Sequence, residues 1–122
     1  TLRAYSASVV FCECVPTDII TNGAQVVVNA TGGTCNSVTG VNGSTVNWNS
    51  SATITTLALQ TASRLDKTGD NRNMVITNSS MDGNCQIIDP WVTIGFTNAT
   101  TINGAVTSGP FTFGPGRSIR VT

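Results

Sequence analysis

Runs of β-branched and aromatic residues, mostly shorter than eight, alternate along this chain with clusters of Gly, Asn, Asp and Pro. A chain written this way cannot build long helices, and it can build many short strands. Ala24 to Ala30, with Val26, Val27 and Val28, reads as one strand. Others are expected at Cys35 to Val38, Thr45 to Trp48, Met74 to Thr77, Cys85 to Ile88, Trp91 to Thr97, Ala105 to Thr107, Phe111 to Phe113 and Ser118 to Thr122. Ala52 to Ala62 is ambiguous between helix and strand, and its threonines favour strand. Asn42-Gly43 and Asn103-Gly104 read as hairpin turns, because both residues tolerate positive φ.

Eight or nine short strands spaced by turns fit an all-β domain, a two-sheet sandwich or jelly roll. No internal repeat of fixed period stands out. At 122 residues the chain is one domain. It divides into an N-terminal strand over 1–11 and a sandwich over 12–122.

The first eleven residues alternate, with Tyr5, Ala7, Val9 and Phe11 on one face of a long strand. Such a terminal strand either pairs within its own sheet or completes the sheet of a neighbouring subunit.

Charge is scarce. Charged residues are 10% of the chain, against about 25% in an average domain, and six basic residues balance six acidic ones. That excludes a nucleic-acid footprint. It also removes the repulsion that keeps monomers apart. No apolar run approaches the roughly 20 residues that cross a bilayer, so membrane insertion is not expected.

Cys12, Cys14, Cys35 and Cys85 are an even set in a short chain, which points to disulfides and an extracellular or cell-surface setting. Cys12 and Cys14 share a face on a strand, so each is expected to pair elsewhere, within the chain or with a neighbour. Zinc lacks its ligands, since there is no His and no Cys-x-x-Cys. No other cofactor is called for.

Catalysis by familiar routes lacks its parts. Without His there is no Ser–His or Cys–His pair, and Glu13 is the one Glu. Asp18, Asp66, Asp70, Asp82 and Asp89 sit mostly at turn positions, where Asp bonds locally. The loop Asp66 to Asn73 reads as a solvated turn, faintly calcium-like in its alternating oxygen ligands but holding Lys67 and Arg72. The expectation is a protein that is not an enzyme. Asn29, Asn42, Asn49, Asn78 and Asn98 each open an Asn-x-Ser/Thr acceptor pattern, making them candidates for N-glycans. Asn42, Asn49 and Asn78 are expected to be the most exposed.

Short length, Thr/Gly/Val richness, scarce charge and an N-terminal extension followed by Cys12 and Cys14 give the chain a general character. In that character it resembles extracellular all-β filament subunits, such as donor-strand pilins and the disulfide-linked appendage proteins of bacterial spores. The resemblance implies a self-assembling subunit and carries no site residues. The sequence thus predicts a filament, pilus or surface-assembly protein that polymerises with copies of itself by donor strand complementation through residues 1–11, with disulfide support. The alternative is a monomeric secreted carbohydrate-binding sandwich, which requires Trp48, read first as a core residue, to be an exposed aromatic platform instead; Trp91, after Pro90, is expected in the core.

Overall fold

The computed structural model describes residues 1–89, 93–98, 100–102, 105–106, 111–113 and 117–120, with side chains for 1–88, 93–98 and 100. Consecutive strands lie in opposite sheets. β1 (Leu2–Tyr5) belongs to the first sheet and β2 (Val9–Cys12) to the second. β3 (Asp18–Asn22) then returns beside β1 and runs parallel to it, and β4 (Gln25–Ala30) runs parallel to β2. The same alternation continues through β5 (Thr34–Val41), β6 (Thr45–Ser50), β7 (Thr53–Leu59), β8 (Arg64–Asp66), β9 (Met74–Met81) and β10 (Gln86–Asp89). The result is a β-solenoid of about five turns.

The last strands break the pattern. β11 (Ile94–Phe96) and β12 (Thr100–Ile102) both lie parallel to β9. β13 (Ala105–Val106) pairs antiparallel with β12, β14 (Phe111–Phe113) with β11, and β15 (Arg117–Arg120) with β10. The chain therefore reverses at this end.

This corrects the expected sandwich or jelly roll. Inward–outward alternation is the same in both folds, so it fixes which residues face the core and not which strand lies next door. Here the parallel neighbour is one whole turn away, as Val9 faces Gln25 and Ile54 faces Ile76. Facing residues are 16 to 22 positions apart. A repeat does exist, but its length varies with the loops, which hid it from a search for a fixed period.

The core sits between the sheets as stacked columns. Cys35, Ile54, Ile76 and Phe96 form one, and Val26, Val46, Leu65 and Ile87 another. All eight are buried, and each large side chain contributes roughly 1.5–3 kcal/mol of burial. In β5, β7 and β9 two successive outward residues separate the inward ones (Asn36 and Ser37 in β5), so the first sheet bends at the same place on each rung.

The turns stack as well. Asn42 and Gly43, Thr61 and Ala62, and Gly83 and Asn84 all have positive φ. Their backbones bond rung to rung, Gly43 N–H to Thr61 O at 2.8 Å and Ala62 N–H to Gly83 O at 2.6 Å. Asn42-Gly43 is thus a tight turn, but it carries the chain from one sheet to the other. No hairpin forms there. Asn103 and Gly104 lie outside the described residues.

Residues 1–11 are not one strand. Ala7, at φ 62°, turns the chain between β1 and β2. Tyr5 therefore lies on the first sheet, Val9 and Phe11 on the second, and Ala7 in the turn. Nothing at positions 6–8 advertised this turn, since neither Gly nor Pro is present. Ala52 to Ala62 resolves as strand β7 with a turn after it. Strand β3, between the N-terminal segment and Ala24, was not among the expected strands.

Candidate functional site

β1 and β2 are the outermost strands of their sheets at the N-terminal end. Each pairs on one side alone, β1 with β3 and β2 with β4. Their free edges present unpaired backbone groups, a template for another strand. The interior of this rung is also less covered than the rest. Leu2, Val10, Cys12 and Val15 pack against the core while remaining partly exposed. On the outside Tyr5 is 56% exposed, Val9 53% and Phe11 71%. Among the described residues the one other large apolar side chain so exposed is Val75. The apolar surface is therefore concentrated on the rung whose backbone is unsatisfied. At the far end β14 and, on a side branch through β12, β13 are the edges of the first sheet and β15 is the edge of the second.

The four cysteines divide by place. Cys14 is exposed and Cys12 half-buried, both at this edge, whereas Cys35 and Cys85 are buried, and all four are free thiols. Cys35 donates to Ser37 O at 3.3 Å and approaches Thr17 O at 3.5 Å. Burial pushes its pKa up to about 11, helped by the Asp18 charge and opposed by backbone hydrogen bonding at Ser37. Cys85 follows Ala24, Ser44 and Ser63 in a column of small buried residues just after each turn. Ser44 shows what the column does: its Oγ donates to Val41 O at 2.6 Å and accepts from Gly23 N at 2.9 Å. The Cys85 thiol is raised by burial, with backbone hydrogen bonds at Ser63, Asp82 and Ala62 opposing. Cys12 is raised by burial and by Cys14 beside it.

The five sequon asparagines share one property that the acceptor pattern did not suggest. Each takes part in an amide hydrogen bond to the next rung. Asn42 Nδ2 donates to Asn22 Oδ1 at 2.8 Å, Asn49 Nδ2 to Asn29 Oδ1 at 2.8 Å, and Asn98 Nδ2 to Asn78 Oδ1 at 2.7 Å. All three pairs are 20 residues apart. That spacing was the readable trace of the solenoid. Gln25 and Asn47 add a fourth amide pair at 2.7 Å.

The loop after β8 is not a plain solvated turn. Lys67 is fully buried and its ammonium meets Asp70 Oδ2 at 2.7 Å and Ser50 O at 2.8 Å. Arg72 Nε reaches Asp70 Oδ1 at 2.8 Å, and its Nη2 bonds Asn49 O at 2.8 Å. Burial raises the Asp70 pKa, but the hydrogen bonds and charges of Lys67 and Arg72 outweigh it and hold the carboxyl below its usual range. This triad ties the loop to the rung before it. Among the described residues no group of three His, Cys, Asp or Glu is placed to hold a metal.

Three other carboxylates bond within turns or between neighbouring strands. Asp18 accepts from Ser37 Oγ at 2.7 Å, Asp66 from Thr68 N at 2.9 Å and Asp82 from Thr61 N at 3.2 Å. Trp48 is fully buried, its Nε1 donating to Ala52 O at 3.2 Å, so it is not available to stack on a ligand. Trp91 lies outside the described residues. No helix among the described residues is long and apolar enough to cross a membrane. Compared with family models, with curated proteins and with solved structures, the chain matches none of them.

Proposed function

We propose that this chain is a structural element of an extracellular assembly that lengthens by stacking solenoids end to end. The observation that carries the reading is the coincidence, on one rung, of two free strand edges with exposed Tyr5, Val9 and Phe11. A partner for this end must offer two strand edges at the separation of the two sheets. The chain's own far end, β14 and β15, has that form. Head-to-tail contact of this kind leaves a free edge at each end of any oligomer, so growth stays open and yields a filament. Backbone pairing would set the register, and capping the partly exposed inward residues Leu2, Val10 and Val15 would supply roughly 1.5–3 kcal/mol for each one fully buried. Strand addition thus proceeds through two short edge strands. The extracellular setting rests on the sequence: little charge and a Thr, Ser and Asn surface.

The test is size-exclusion chromatography with light scattering, joined to negative-stain microscopy, on the chain and on a Val9→Lys/Phe11→Lys variant. Both positions point outward, so circular dichroism should report an intact fold. The expected result is filaments or concentration-dependent oligomers for the parent and monomers for the variant. A parent that remains monomeric at high concentration refutes the proposal.

A further inference from the structure

The rung-to-rung amide bonds rank the five sequons as glycan acceptors, and we infer that Asn29 is the site this fold is built to carry. N-glycosylation joins the asparagine Nδ2 to the anomeric carbon of a glycan delivered on a polyisoprenoid pyrophosphate. The N–C bond forms and the C–O bond to pyrophosphate breaks. The pyrophosphate leaves with the bonding pair, and Nδ2 gives up one of its two protons. The acceptor nitrogen must therefore face solvent with room for a sugar ring, while the amide oxygen can keep accepting a hydrogen bond from the next rung.

Asn29 meets these conditions. It is exposed at the end of β4, and its ladder bond uses the oxygen, which accepts from Asn49. Its Nδ2 donates no hydrogen bond among the described residues. Thr31, the hydroxyl of the sequon, is exposed. Gly32 and Gly33 follow, and a side chain added at either would touch nothing within 4 Å, so the surroundings are open.

The other four each fail a condition. Asn49 Nδ2 is committed to Asn29, and its Oδ1 is buried against Gly69, where an added Cβ would come within 2.7 Å. Asn42 Nδ2 is committed to Asn22, and its sequon hydroxyl, Ser44, is buried. Asn98 Nδ2 is committed to Asn78, and its Thr100 is buried with Oγ1 2.8 Å from Ser79 Oγ. Asn78 is exposed but uses both ends of its amide, Nδ2 to Thr55 O at 3.3 Å and Oδ1 to Asn98. The ranking reverses the sequence expectation, which favoured Asn42, Asn49 and Asn78. It does not depend on the assembly reading.

The experiment is secretion of the whole chain from a eukaryotic cell line, followed by intact mass and glycopeptide mapping. A Thr31→Ala variant removes the acceptor pattern while leaving the Asn29 amide to hold Asn49. Expected are a glycan at Asn29, none at Asn49 or Asn98, and a T31A protein lighter by one glycan with the same circular dichroism. A folded, secreted protein with Asn29 empty, or with a glycan at Asn49, overturns the inference.

Discussion

The turn column offers a stability experiment with its control built in. Thr61 and Ala62 occupy the left-handed region at φ 52° and 61°, where the rung before has Asn42 and Gly43. An L-residue with a Cβ pays roughly 1–2 kcal/mol there. Ala62→Gly removes that strain and gives back about 0.4–1 kcal/mol through the greater freedom of glycine in the unfolded chain. The net gain is about 0.5–1 kcal/mol. Nothing else should change: Ala62 is exposed, and its N–H bond to Gly83 O survives the substitution. Gly43→Ala runs the same terms with opposite sign. A Cβ at Gly43 would meet nothing within 4 Å, so its loss of about 1 kcal/mol is conformational alone. Urea unfolding of both variants is the assay, and the midpoints should move in opposite directions at unchanged slope. An A62G midpoint below the parent, or a G43A midpoint equal to it, would refute the strain argument.

Further expectations concern buried charge and thiols. Asp70→Asn breaks the buried ion pair with Lys67 and should cost about 3–5 kcal/mol by urea titration. Because the folded Asp70 pKa is lowered, its stabilisation is present above the ordinary carboxylate pKa of about 3.9 and is lost as pH falls through the folded value. A stability profile of D70N that still falls as steeply as the parent's in that acid window would contradict this. For Cys35 the sign is opposite: its contribution is complete below the ordinary thiol pKa and lost as pH rises toward about 11. A maleimide at neutral pH should label Cys14 first and leave Cys35 and Cys85 unmodified until denaturant is added; label on Cys35 or Cys85 in mass spectra of the native protein would contradict this. Cys85→Ser should cost no more than about 1 kcal/mol, the net worth of one hydrogen bond, since Ser44 and Ser63 fill the same column, and a larger loss would mean that the column is not interchangeable.

The all-β content was legible because Val, Ile and Thr runs were bounded by turn residues, and the strand expected over Ala24 to Ala30 is β4. Pairing was not. Asn42-Gly43 has the composition of a hairpin turn because both settings need positive φ, and only the identity of the neighbouring strand separates them. Residues 1–11 alternate unbroken, but alternation persists through a turn when its one left-handed residue is an alanine. Lys67 was hidden for another reason: a lysine among polar neighbours reads as solvated, and its partners Ser50 and Asp70 come from different rungs' ends. The asparagine pairs were legible in spacing, 20 residues apart three times over, but their acceptor patterns drew the reading toward sugar instead of stacking.

The varying pitch of the stack has a consequence for how such a chain can change length. Each rung touches its neighbours and little else, so the unit that can be removed or copied is the rung. Excision of residues 34–52 would set Thr53 where Thr34 now stands, bring Leu57 over Ile19 and leave every inward column inward. Excision of a single residue from β7 would turn the rest of that strand inside out. Insertions confined to the loop after β8, already the site of extra residues, would alter neither. Sequence length in this architecture is thus quantised where the sheets run and continuous where the loops do.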